Sequence, residues 1–140
     1  MSDPIHNPAH YTAYPVQPIA ITRYLGFCMG NVIKYVMRAP HKGGVEDLGK
    51  ALRYLDLEAE TPGPGVRPDC LRAFEALREL HKHLGTMDDT LARLQRDFLC
   101  AAGFWLERQW KNRAAGEEIA SMRQVIGSMI ESLRRMETQP

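Results

Sequence analysis

The stretch that decides the fold is Gly30-Asn31-Val32-Ile33-Lys34-Tyr35-Val36-Met37-Arg38, followed after a short break by Gly43-Gly44-Val45-Glu46-Asp47-Leu48-Gly49-Lys50-Ala51-Leu52-Arg53-Tyr54-Leu55. It reads as a helix from about Gly30, a glycine turn and a second helix. The first helix stops at Ala39-Pro40, because proline disfavours the αR region in the residue before it. Glu46 and Asp47 fall in the first turn of the second helix, where the helix dipole favours acids, and that helix runs to about Glu60. Asn31, Lys34 and Arg38 stand at i, i+3 and i+7, so they share one helical face. Asp47, Lys50 and Tyr54 repeat the spacing. Two helices that each carry such a polar stripe can close a pocket for a small charged ligand.

On the N-terminal side, Pro4, Pro8, Pro15 and Pro18 remove backbone donors and fix φ, so residues 1 to about 18 read as an extended arm packed on the body. A short helix follows from Ile19 to Leu25, ended near Gly26. On the C-terminal side, Thr61-Pro62-Gly63-Pro64-Gly65-Val66-Arg67-Pro68 is too rich in proline and glycine for a helix or a central strand. Three helices come after it. The first carries a stripe of Leu71, Phe74, Leu77 or Arg78, Leu80 or His81, and Leu84, closed by Gly85. The second is N-capped at Thr86, with Asp89 three residues on. It continues through Leu91, Leu94, Phe98, Ala101 and Trp105 to an end at Gly116. The third is a short heptad seam of Ile119, Met122, Ile126, Met129, Leu133 and Met136, which predicts a homo-oligomer formed through the C-terminal helices, with packing against the two preceding helices in a closed bundle as the alternative. No alternating run suggests a strand. The expected architecture is all-α: a ligand-binding N-terminal unit (1–60), a linker (61–68) and a helical bundle or oligomerisation region (69–140).

The bulk numbers narrow the function. With 140 residues, 25% charged, and a net charge of +1, the chain has no general pull toward nucleic acid. No apolar run approaches the roughly 18 residues that span a bilayer, and the N-terminus lacks the features of a secretory leader. Cys28, Cys70 and Cys100 form no CxxC pair, as expected of reduced, buried thiols in a cytoplasm.

Gly44-x-x-x-x-Gly49-Lys50 has the spacing of a phosphate loop, but Ala51 stands where Ser or Thr must bind Mg²⁺, and a helix precedes it instead of a strand. The stronger candidates are the stripes themselves. Arg38 offers a planar fork for phosphate, Lys34 and Lys50 point charges, and Asn31 a reader of base or sugar. Lys42 extends the cluster, and Tyr54 shares the face of Asp47 and Lys50. Glu46 and Asp47 are candidates for a divalent ion, and His10 and Tyr11 for a clamp on the base. Each has an ordinary reading beside it: solvated cations at a helix C-terminus, acids at an N-terminus, and a packed arm.

Taken in order, Pro8-Ala9-His10-Tyr11, Gly30-Asn31-Val32-Ile33-Lys34-Tyr35-Val36-Met37-Arg38, Lys42-Gly43-Gly44 and Glu46-Asp47-Leu48-Gly49-Lys50-Ala51-Leu52-Arg53-Tyr54-Leu55 resemble a pattern of small phage and prophage proteins, often labelled as nucleotide kinase-like or as a domain of unknown function. The likeness covers roughly residues 6 to 58, with Gly49 where such proteins more often carry a polar residue. It implies a protein of the host-cell cytoplasm that transfers a phosphoryl group from ATP, with Mg²⁺, to a deoxynucleoside monophosphate without a standard phosphate loop, in a homo-oligomer. In that reading Asp47, Lys50 and Arg38 are catalytic, while His10, Tyr11, Asn31, Lys34, Lys42 and Tyr54 bind the nucleotide. A non-enzymatic protein that sequesters a nucleotide signal, cyclic ones included, would need the same cations and no metal. An all-α nucleotide pyrophosphohydrolase fits less well, since it needs Glu-x-x-Glu and Glu-x-x-Asp helices. A helical assembly protein is a further alternative.

Overall fold

A computed structural model describes residues 14–63, 66–67 and 69–138. They form α1 (Ile19–Thr22), α2 (Phe27–Arg38), α3 (Gly44–Glu60), α4 (Leu71–Leu84), α5 (Thr90–Trp110) and α6 (Gly116–Thr138), with no strand among the described residues. The all-α expectation therefore holds. No described helix is long and apolar enough to cross a membrane.

Hydrophobic periodicity builds the bundle. On α2, Met29, Val32, Ile33, Val36 and Met37 are buried, the i, i+3, i+4, i+7, i+8 pattern of one apolar stripe. That stripe turns Asn31, Lys34, Tyr35 and Arg38 outward. α2 and α3 form a helical hairpin, α5 and α6 a second one, and α6 also packs on α3. α4 packs on α5 and α1. Buried residues of all six helices belong to one hydrophobic core. The seam on α6 is used inside this bundle: Met122, Ile126 and Met129 are fully buried in the core, and Met136 at its end is exposed. The seam residues expected to drive self-association are therefore largely occupied by α3 and α5.

Several boundaries differ from expectation, each for a local reason. α2 begins at Phe27, because Gly26 is its extended N-cap and Gly30 already donates its N–H to the Gly26 carbonyl. It ends at Arg38 as expected, yet Ala39 keeps αR geometry. The proline therefore ends the helix through its missing donor rather than through its neighbour's conformation. The N-cap of α5 is Asp89, whose carboxylate accepts the Ala92 N–H at 2.8 Å, while the Thr86 hydroxyl donates to the His83 carbonyl. α5 ends at Trp110, not Gly116. Asn112 takes a left-handed φ of 61°, and the bonds Arg113 N–H to Arg108 O and Asn112 N–H to Gln109 O complete a Schellman motif. Asparagine does here what a glycine was expected to do four residues later. On α4 the buried stripe is Ala73, Ala76, Leu77, Leu80 and Leu84, leaving Leu71 exposed. Of the three thiols only Cys70 is buried, and Cys100 is exposed.

A buried tyrosine fastens the segment before α1 to the bundle. The Tyr14 hydroxyl donates to the Met37 carbonyl at 2.7 Å and accepts from the Gln95 amide at 3.0 Å. His41 Nε2 stands 2.9 Å from the same oxygen. Burial raises the phenol pKa to about 12, against the lowering effect of the Gln95 hydrogen bond and with a further push from Asp89. Tyr14 is therefore neutral throughout the physiological range and keeps its donor proton. Tyr14→Phe should lower the unfolding free energy by about 1–3 kcal/mol, read as a shift in urea midpoint at unchanged slope. An unchanged midpoint would show that the hub contributes nothing net.

Candidate functional site

The turn between α2 and α3 sets the site. Gly44 has φ +54°, a left-handed conformation that glycine adopts at no steric cost. A Cβ on Gly43 would collide with the Asp47 carboxylate, so the turn needs glycine at both positions, for two different reasons. Across that turn Arg38 donates Nε–H to Asp47 Oδ2 and Nη2–H to Oδ1, both at 3.0 Å. The Asp47 side chain is 1% exposed. Burial pushes its carboxyl pKa up. The Arg38 hydrogen bonds and charge, a backbone hydrogen bond at Gly43 and the charge of Lys50 outweigh that, so the pKa falls below the ordinary carboxylate value.

Beside this fork the two stripes meet at an aromatic pair. Tyr35 and Tyr54 stack with centroids 6.1 Å apart and planes 12° apart, and Phe27 meets Tyr54 edge-on at 5.6 Å. Three cations surround Tyr35: Lys34 Nζ lies 4.6 Å from the ring centroid, Arg38 Cζ 5.2 Å and Lys50 Nζ 5.5 Å. Lys34 also lines a depression of about 200 Å³ with Phe27, Gly30 and Asn31. The structure thus brings together Asn31, Lys34, Arg38, Asp47, Lys50 and Tyr54. It adds Tyr35 and Phe27, which the charge-stripe reading left out. Tyr35 could have been found by placing it beside Lys34 and Arg38 on the outward arc of α2. Phe27, 75% exposed, precedes the helix start expected near Gly30.

Other nominated residues do not converge. Glu46 and Asp47 are neighbours on one helix, so their side chains diverge by about 100°. Asp47 points inward to Arg38, while Glu46 is exposed and pairs loosely with Lys50 at 3.8 Å. They form no common chelate, and among the described residues no group of three or more His, Cys, Asp or Glu could hold a metal ion. Lys42 lies exposed in the turn. The Asn31 amide donates to the Phe27 carbonyl at 2.8 Å, leaving its oxygen as an acceptor. His10 and Tyr11 lie outside the described residues. Gly44 to Lys50 is helix, so the apparent phosphate-loop spacing has no loop behind it.

Fold and site together define a small helical protein with a cation-ringed aromatic surface on its N-terminal hairpin. Residues 5–56 match the model of a family described as a protein of unknown function, DUF3310. That segment holds every nominated site residue, from His10 to Tyr54. No curated protein and no solved structure matches the chain.

The fork makes a stability prediction. Removing one partner of a buried pair leaves the other uncompensated, so Arg38→Ala and Asp47→Ala should each cost about 3 kcal/mol, with the double variant costing less than their sum. The depressed Asp47 pKa gives the pH sign. Its contribution is complete above the unfolded carboxyl value of about 3.9 and is lost as pH falls through the lower folded value. Urea titrations between pH 7 and pH 2 check both. Additive single-variant effects would contradict the coupling.

Proposed function

We propose that the α2–α3 face binds a small nucleotide, with its phosphates on Lys34, Lys50 and Arg38 and its base against the exposed Phe27 ring beside Tyr54. One observation carries the reading: three cations from two helices surround a single tyrosine ring within 5.5 Å, and the acids paired with them among the described residues are the buried Asp47 and the loosely held Glu46. Among the described residues no carboxylate lies within salt-bridge distance of Lys34. Concentrating like charge has an electrostatic cost unless an anion relieves it, and phosphate is an anion that the two ammonium groups of Lys34 and Lys50 can neutralise as point charges. The depression of about 200 Å³ beside Lys34 is smaller than sites that enclose whole ligands, about 300–1,000 Å³. It suits a phosphate or sugar, with the base lying on the open aromatic surface.

Phosphoryl transfer to a deoxynucleoside monophosphate, from ATP with Mg²⁺, is the reaction the phage-protein likeness implies. The geometry favours holding the nucleotide over turning it over, because both Asp47 oxygens are engaged by Arg38 and neither is free to take a proton or a metal. Sequestration of a nucleotide needs only the cations. A homo-oligomer remains part of the proposal, through surfaces other than the α6 seam.

A thermal-shift series with mono-, di-, tri- and cyclic nucleotides tests the reading, since a ligand bound by the folded state alone raises stability. Lys34→Ala should weaken the best ligand about 5- to 10-fold, the loss of one charge-assisted contact, and affinity should fall with added salt. No stabilisation by any nucleotide, or unchanged affinity in Lys34→Ala, would refute it. A diphosphate product from ATP, Mg²⁺ and a monophosphate would establish turnover in place of simple binding.

A further inference from the structure

A second cavity lies between α3, α5 and α6, and the nucleotide reading makes no use of it. Glu58, which lines it, stands about 16 Å along α3 from Asp47. The cavity measures about 370 Å³, within the size range of small-molecule sites. Trp105, Ala115 and Ile119 give it apolar walls.

Glu58 breaks that apolar lining and is 5% exposed. Its Oε2 accepts the Gly63 N–H at 2.7 Å, and among the described residues it makes no other hydrogen bond and no ion pair. No fully enclosed side-chain nitrogen or oxygen among the described residues lacks a hydrogen-bond partner, so Oε1, which has none, keeps some accessible surface, and Glu58 is one of the residues that line the cavity. The cation at the rim is already committed: Arg123 pairs with Asp56 at 2.7 Å. Gln109 gives its amide nitrogen to the Arg113 carbonyl at 3.4 Å, which leaves its oxygen as a second acceptor. A largely buried carboxylate is normally paired with a cation, and Glu58 has no ion pair among the described residues.

We propose that this cavity binds a small organic cation, a protonated amine on a compact apolar body, with the ammonium group on Glu58 and the body against Trp105 and Ile119. A hard metal ion would need several more oxygen ligands than one carboxylate and one amide supply. The apolar walls suit a hydrocarbon or aromatic body, and Gln109 offers a second acceptor to the ammonium protons.

Calorimetry on the full chain with phenethylammonium and phenethyl alcohol, matched in size and differing in charge, tests this. The amine should bind at least tenfold more tightly than the alcohol. It should shift the amide resonances of Glu58 and Gly63 and the indole resonance of Trp105, not those of the α2–α3 face. Glu58→Gln keeps an acceptor for Gly63 and nearly the same volume, and it should erase the preference. Equal binding of amine and alcohol overturns the proposal without recourse to any variant. So does undiminished amine binding in Glu58→Gln, resonance shifts confined to the α2–α3 face, or no amine binding up to about 10 mM.

Discussion

The Arg38–Asp47 fork is the constraint on which the N-terminal hairpin depends. It joins the last residue of α2 to the first turn of α3, and both of its bonds are 3.0 Å long. A bidentate pair fixes orientation as well as distance, so it sets the register of the two helices. The turn is shaped around it: the Asp47 carboxylate occupies the space where a side chain on Gly43 would begin. With register fixed, Tyr35 on α2 meets Tyr54 on α3 in a stacked pair, and Lys34 and Lys50 arrive at the same ring from different helices. Hydrophobic burial holds α2 against the core, but burial is non-directional and would tolerate small rotations that the fork does not.

The rest of the bundle supplies what a two-helix hairpin lacks. An isolated α2–α3 pair would leave much of the apolar stripe of α2 in water, and helices of 12 and 17 residues are marginal on propensity alone. α6 covers α3, α4 and α5 complete the core, and the Tyr14 hub binds the C-terminal end of α2 to α5 through Gln95, which also donates to the Val36 carbonyl at 3.2 Å. The proposed binding face therefore sits on helices that are braced from behind and open in front.

The all-α fold was legible because its signals are periodic. The α2 stripe and the α6 seam can be counted directly, and the acids of the α3 first turn and the proline after α2 mark real boundaries. What failed were local substitutions of one turn device for another. Asn112 ended α5 where glycine was sought, and Asp89 capped it in place of Thr86. Much of the site was legible as two stripes, since spacing alone puts Asn31, Lys34 and Arg38 on one face. What spacing cannot give is which charges find one another. Glu46 and Asp47 look alike in sequence, yet one helical step of about 100° sends one to solvent and the other into the fork. The α6 seam shows the same limit, because its periodicity specifies an apolar face without naming the face that covers it.

Asp47 and Glu58 are two buried carboxylates on the same helix, and their surroundings assign them opposite parts. Asp47 is compensated in full: a guanidinium takes both oxygens, a second cation lies near, and the carboxyl pKa is held down. Such a group is well suited to positioning and poorly suited to chemistry, because a proton or a metal ion could bind it only by displacing Arg38, at the cost of an uncompensated buried charge. Glu58 has one backbone hydrogen bond and no ion pair among the described residues, so those residues leave its charge without a paired cation. Burial and charge are the same in kind at both positions. The difference lies in whether the described residues supply a paired cation, and it is why Asp47 takes the part of shaping the proposed nucleotide site and Glu58 that of receiving the proposed amine.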